Sequence, residues 1–196
     1  MHPVALRGAE THPQEKLLVS RAVRGDQRAF NSLVESYQRR LFNYCFRMVG
    51  NAEDACDVTQ EAFVKAWRNI GQFRVGEPFL PWLFRIAHNL CVDHLRRRND
   101  NLSLDVEIEE GREPGDSRSN PETEAQESET RRAIEAAIAD LPPKYRAVMM
   151  LRHGQGMSLE EIAESLSLPC NTVKVHLHRA REQMRSRLKP LLETTI

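Results

Sequence analysis

Residues 158–189, S-L-E-E-I-A-E-S-L-S-L-P-C-N-T-V-K-V-H-L-H-R-A-R-E-Q-M-R-S-R-L-K, restrict the possible folds more than any other stretch. Ser158 and Glu161 have the spacing of a capping box, in which each side chain satisfies a free amide at a helix start. Leu159, Ile162, Ala163 and Leu166 then recur at i, i+3, i+4 and i+7, the stripe of a short amphipathic helix. Ser167-Leu168 interrupts that period, and Pro169 suits the first turn of a second helix, where its missing N–H is not needed. In the second helix Val173, Leu177, Ala180, Met184 and Leu188 share one face. At about 100° per residue, Asn171, Val175, His178 and Arg179 fall opposite, flanked by Thr172 and Lys174. Arg181, Arg185, Arg187 and Lys189 extend the basic surface. A basic, hydrogen-bonding face on the second helix of such a pair suits a DNA major groove. An ordinary helical hairpin with a solvated basic face satisfies the same pattern.

The rest of the chain also has helical rather than alternating periodicity, and the 9 glycines in 196 residues are sparse. The fold class expected is all-α, with one or two domains of ordinary size. Zero formal net charge argues against nucleic acid only while its distribution is ignored. Lys and Arg against Asp and Glu give +4 for residues 1–100, −8 for 101–130 and +4 for 131–196. Two mildly basic blocks are joined by an acidic strap.

Cys45, Cys56, Cys91 and Cys170 are scattered, without C-x-x-C or the paired Cys/His spacing of a zinc site. His88 and Cys91 lie three apart on an expected helix, and two ligands do not close a metal site. They read as core or surface thiols, and no metal or cofactor is expected. No apolar run approaches the ~20 residues that cross a bilayer. Residues 1–13 lack the apolar core of a signal peptide and read as disordered. A cytoplasmic protein without direct membrane insertion follows.

Residues 14–50 read as two helices around a Gly25-Asp26 break. Leu17, Leu18, Ala22 and Val23 line the first; Phe30, Leu33, Val34, Tyr37, Leu41, Tyr44, Cys45 and Met48 line the second. In residues 51–73, Ala55, Val58, Ala62, Ala66 and Ile70 form a small-residue inner face that lets a neighbouring helix approach closely. The other face carries Asp57, Gln60, Glu61, Val64, Trp67 and Arg68. A Trp and a Val among charges have the composition of a protein-binding patch; Trp67 tucked against a following loop explains its presence equally well.

Between residues 79 and 98, Leu83, Ile86, Ala87, Leu90 and Cys91 form the inward stripe of a helix opened by Pro81 and ended by Arg96, Arg97 and Arg98. Phe73, Phe79, Trp82 and Phe84 beside a basic helix are the ingredients for holding unstacked bases and phosphates. One or two of the four are expected to be exposed. The arginines also complement the helix dipole, a purely structural role. Residues 101–130, with Pro114, Gly115 and Pro121 among ten acids, read as a flexible linker. Fully extended it reaches on the order of 100 Å, roughly three turns of DNA. After it, Ile134, Ala137, Ile138 and Leu141 mark one helix ending at Pro142-Pro143. Tyr145, Val148, Met149, Leu151 and Arg152 mark another that stops at His153-Gly154, completing a compact four-helix module.

The runs G-D-Q-R-A-F-N-S-L-V, D-V-T-Q-E-A-F-V-K-A-W, F-L-P-W-L-F-R-I-A-H-N, L-P-P-K-Y-R-A-V-M-M-L-R and N-T-V-K-V-H-L-H-R-A-R occur in the order found in bacterial RNA polymerase sigma factors of the extracytoplasmic-function group. From about residue 15 to 192 the chain resembles that family. The resemblance implies a region 2-type helical bundle over 14–100, an acidic linker over 101–130 and a region 4-type helix-turn-helix module over 131–192. It implies core RNA polymerase as partner, through its clamp helices and flap, together with promoter DNA and an anti-sigma factor.

Carried onto matching positions, the resemblance assigns Asp57, Gln60, Glu61, Val64 and Trp67 to the polymerase clamp helices. It assigns Phe73, Trp82, Asn89, Arg96, Arg97 and Arg98 to the promoter −10 element, with Asn89 helping to hold a flipped-out base. Asn171, Thr172, Lys174, Val175, His178 and Arg179 fall to the −35 element. His176 and His178 stand where basic or aromatic residues are frequent, so base preference does not transfer. The implied mechanism is recognition without covalent chemistry. Polymerase positions both modules on DNA, and the N-terminal module captures bases as the strands part. A repressor or activator acting alone would need a sensing pocket or dimerisation surface that the N-terminal block does not present. An enzyme with a DNA-binding tail finds no G-x-x-x-x-G-K-[ST], G-x-G-x-x-G or nucleophile–base constellation.

Overall fold

The computed structural model describes residues 13–102 and 123–193, and every regular element among them is helical apart from an isolated bridge between Val75 and Glu77. Expectations for residues 1–12 and for the linker over 103–122 lie outside the described residues. The described helices reach into both ends of the stretch read as linker. Helix α4 (Phe79–Leu102) runs two residues into it and helix α5 (Thr123–Ala139) begins eight residues before residue 131. The acids that made this stretch look like linker also suit the positive end of a helix dipole, with Ala and Gln favouring the helix between them.

The N-terminal unit is built from α1 (Pro13–Val23), α2 (Gln27–Val49), α3 (Ala52–Asn69), a 3₁₀ turn (Ile70–Gln72) and α4. Asp26 caps α2 by accepting from the Ala29 amide at 3.1 Å and holds Arg21 at 2.7 Å. These two donors hold its carboxyl below the usual range. Gly50 ends α2 in the left-handed region (φ 94°), which glycine adopts without a Cβ clash, and its amide donates to the Phe46 carbonyl. Asn51 then caps α3 through the Asp54 amide at 2.8 Å. The expected stripes of α2 and α3 are buried, including Leu33, Leu41, Tyr44, Cys45, Met48, Ala55, Ala62 and Ala66. In α1 the face is rotated from expectation. Val19 is buried beside Ala22, and Leu17 is 58% exposed, pointing away from α2.

The C-terminal unit packs α5, α6 (Pro143–Met149) with a π turn (Met150–Gly154), α7 (Leu159–Leu166) and α8 (Cys170–Glu193). The capping box forms as the spacing predicts: the Glu161 amide donates to Ser158 Oγ at 3.1 Å, and the Ser158 amide donates to Glu161 Oε2 at 2.7 Å. Ser167 ends α7 with φ 53°. Pro169 sits just before α8, and its carbonyl accepts from the Val173 amide at 3.1 Å.

The two units share one hydrophobic core, and α7 lies against α4. Three arginines fasten the joint. Arg40 donates to the Gln155 side chain at 2.9 Å and to its backbone carbonyl at 3.2 Å; Arg47 pairs with Glu135 at 2.7 Å. Arg146 donates to the carbonyls of Arg47 (3.1 Å), Met48 (3.0 Å), Leu141 (3.0 Å) and Ala139. Those four carbonyls lie at the C-terminal ends of α2 and α5, where the helices leave their own acceptors unmatched. One guanidinium thus closes two helix ends that belong to different units, with a positive charge at the negative end of each dipole.

Candidate nucleic-acid and polymerase interfaces

Helix α8 divides cleanly. Val173, Leu177, Ala180 and Met184 are buried, with Leu188 packed beside them. Asn171, Lys174, Val175, His178 and Arg179 are exposed and Thr172 half-exposed, so all six −35 candidates lie on or beside the open side. Two devices keep other polar groups off that face. His176 is half-buried with its ring edge-on to Tyr145 at 5.4 Å, and burial, aided by Lys144, lowers its pKa. Arg187 pairs with Asp140, just after α5. On the open face Glu182 faces both His178 (3.4 Å) and Arg179 (3.2 Å), leaving their positions adjustable because all three are exposed.

On α3, Asp57, Gln60 and Glu61 are exposed and Val64 is 46% exposed. Glu61 is paired with Lys65 at 3.0 Å. Trp67 is half-buried with its ring 5.0 Å from Phe30 of α2. It packs onto the buried core of the bundle. Tryptophan anchored in this way gives a rigid apolar border to a charged surface.

The −10 candidates separate. Asn89, Arg96, Arg97 and Arg98 are exposed. Trp82 is half-buried. Phe73 is 5% exposed, with Trp82 and Phe79 at 5.1 and 5.8 Å. As placed, Phe73 cannot stack on a base; the short 3₁₀ turn before it tucks its ring inward, where it backs Trp82. Phe79 and Phe84 are buried as well, so none of the four aromatics is fully exposed. Arg98 also reaches the Val49 carbonyl at the end of α2 (3.5 Å), and Arg97 the Asp93 carbonyl (3.3 Å), which gives both a structural share.

Between α3 and α4 lies a cleft of about 190 Å³ lined by Lys65, Asn69, Ile86, Asn89, Leu90 and Asp93. Ile86 and Leu90 offer apolar walls, and Lys65, Asn69, Asn89 and Asp93 offer polar groups. Asn69 donates to the Lys65 carbonyl at 2.8 Å. One turn away on α4, His88 is turned inward to Tyr44, with Nδ1 2.9 Å from the hydroxyl, and burial lowers its pKa to about 4. It is neutral and structural. Cys45 and Cys91 are buried, Cys56 exposed and Cys170 half-buried. Among the described residues no group of three or more His, Cys, Asp or Glu side chains is placed to hold a metal ion.

Comparison with known proteins joins these surfaces. The Sigma-70 region 2 model matches residues 33–100, and the Sigma-70 region 4 model matches 131–184. The chain is 37% identical to the ECF RNA polymerase sigma factor SigW of Bacillus subtilis over 183 residues, 90% of this chain and 97% of the relative. The chain belongs to the ECF RNA polymerase sigma factors. It is similarly close to the ECF RNA polymerase sigma-E factor of Escherichia coli, 37% identical across 91% of this chain and 96% of that one. As a sigma factor it binds core RNA polymerase and directs promoter-specific initiation, and it is not an enzyme. Among solved structures, CnrH in complex with the cytosolic domain of CnrY superimposes with a TM-score of 0.68 at 28% identity, covering 90% of this chain and 98% of that one. The sigma factor RpoE of Bartonella quintana, solved with the anti-sigma factor NepR, shares the fold at TM-score 0.68 and 23% identity, over 82% of this chain and 96% of that one. No described helix of this sigma factor is long and apolar enough to cross a membrane.

Reading the sequence alone missed the cleft and the Arg146 clamp. Lys65 and Asn69 are four apart, and Ile86, Asn89, Leu90 and Asp93 follow a helical stripe, so each half of the cleft has a local signal. Their meeting depends on how α3 and α4 pair. For Arg146, whose acceptors at Arg47 and Met48 lie about a hundred positions away, no local signal exists.

Proposed function

We propose that the exposed α3 row of Asp57, Gln60, Glu61 and Val64, bordered by Trp67, docks on the polymerase clamp helices. Trp82, Asn89 and the arginines at the end of α4 hold the opened −10 strand, with one flipped base in the cleft between α3 and α4. The open face of α8 reads the −35 element in the major groove. The observation that carries this reading is the division of α8: one side is sealed into the protein, while the other presents five polar or basic candidates and one valine on or beside its open face. Such a face matches the donor and acceptor pattern of the major groove and the charge of its phosphates. Phe73 supports Trp82 from beneath instead of touching DNA. The protein acts in the cytoplasm, where its polymerase is. An anti-sigma protein is the regulator that membership of this family points to, and CnrH was itself solved with a partner, the cytosolic domain of CnrY.

Run-off transcription with the organism's core polymerase tests the whole reading. Specific initiation should depend on this chain and fall away when the −35 region is scrambled. Replacing Asp57, Gln60 and Glu61 together by alanine should abolish co-purification with core enzyme while helical content is unchanged. Unaltered co-purification would remove α3 from the docking surface. Affinity capture from unstressed cells should recover a protein that blocks transcription when added back.

A further inference from the structure

We infer that Val175 reads the 5-methyl group of one thymine in the −35 element, which makes it a specificity-determining residue. This rests on the proposal that α8 enters the major groove. Val175 is 58% exposed, an apolar side chain in the middle of an otherwise polar surface. Asn171 and Thr172 lie one turn before it, His178 and Arg179 one turn after, and Lys174 alongside, all on or bordering the open side of the helix. These neighbours supply the positive charge and hydrogen-bonding groups that complement phosphates and base edges. A valine can do neither. In the major groove only one feature is apolar, the C5-methyl of thymine. A β-branched side chain in a helix is held close to one rotamer, so its methyl groups are presented at a fixed place rather than searching for a contact. Burying Val175 against a thymine methyl removes two small apolar surfaces from water together. Against cytosine the methyl is missing, and against a purine edge the valine would cover acceptors it cannot satisfy.

The test uses holoenzyme assembled from core polymerase and the full chain, on a promoter identified by start-site mapping. Each −35 thymine is replaced in turn by deoxyuridine, which removes the methyl and leaves every hydrogen-bonding group in place. The expected result is one position at which the substitution weakens promoter binding about fourfold, the worth of one methyl at about 0.8 kcal/mol. With Val175→Ala the same substitution should have no further effect. With Val175→Thr, which keeps β-branching and one methyl, sensitivity should persist at the same thymine. Thermal unfolding of both variants should match the parent, since the side chain is exposed. Indifference to every deoxyuridine, or an equal response at that position in Val175→Ala, would overturn the inference while leaving α8 as the DNA reader. Indifference to scrambling the entire −35 region is a separate outcome that would overturn the reading of α8, and this inference with it.

Discussion

Helices α4 and α8 are both 24 residues long and both carry arginines, yet they are built for different uses. Helix α4 is the spine of its unit. Leu83, Phe84, Ala87, Leu90 and Cys91 are buried, α7 lies on it from the other unit, and several of its polar side chains are tied inward. His88 meets Tyr44, His94 meets Asp54 at 3.0 Å and Arg98 meets the Val49 carbonyl. Helix α8 buries a single stripe and leaves its working face with only exposed, adjustable pairs. The α4 residues proposed to hold DNA share their helix with the core, whereas the proposed reading residues of α8 stand apart from the packing. Substitution should therefore cost stability on α4 and recognition on α8.

The largest expected effect is on α4. Phe84 is fully buried with its ring edge-on to Tyr44 at 5.2 Å. Phe84→Ala should lower unfolding free energy by about 3–5 kcal/mol in urea titration. A loss near that of an exposed residue would break the comparison.

His88 should make the same unit acid-sensitive. Folded, it accepts a proton only near pH 4, against 6.5 for an unperturbed imidazole. Between those values the unfolded chain binds more protons, so stability falls as pH drops from about 6.5 towards 4, by up to about 3 kcal/mol. Urea titrations at pH 7 and pH 5 should show this loss, and His88→Gln should flatten it.

Arg179→Ala on α8 should cost about 1–3 kcal/mol in promoter binding and relax preference at one base pair. Its stability should stay within about 0.5 kcal/mol of the parent, because Arg179 and Glu182 are both exposed. An equal loss on random DNA would make it a phosphate contact and sharpen the map of the face.

The smallest effect is at Ser167, the described non-glycine residue with positive φ (53°). Ser167→Gly should raise stability by about 0.5–1 kcal/mol in thermal or urea unfolding, since glycine occupies that region without a Cβ clash.

What was legible in the sequence was what is local. The capping box of Ser158 and Glu161, the buried stripe of α8 and the sparse, small inner face of α3 follow from spacing within one or two helices. Leu17 and Phe73 were misread for a common reason. Periodicity finds that a face exists, while the direction it points is set by neighbours: α2 for one, Trp82 and Phe79 for the other. The ends of the linker were misread because the same acids serve a solvated strap and a helix N-terminus. The cleft beside Asn89 and the joint between the units required pairings that no window of sequence contains.

Arg146 has a consequence for how this sigma factor is put to use. Its acceptors at the joint are main-chain carbonyls, which no amino-acid substitution at those four positions can delete and which added salt screens weakly. Parting the two units would strand the Arg47 and Met48 oxygens at the tail of α2, while those of Ala139 and Leu141 stay with Arg146. Any assembly that holds the two units farther apart must therefore draw on its own affinity to prise the guanidinium loose, and its apparent grip on the free chain is reduced by that amount.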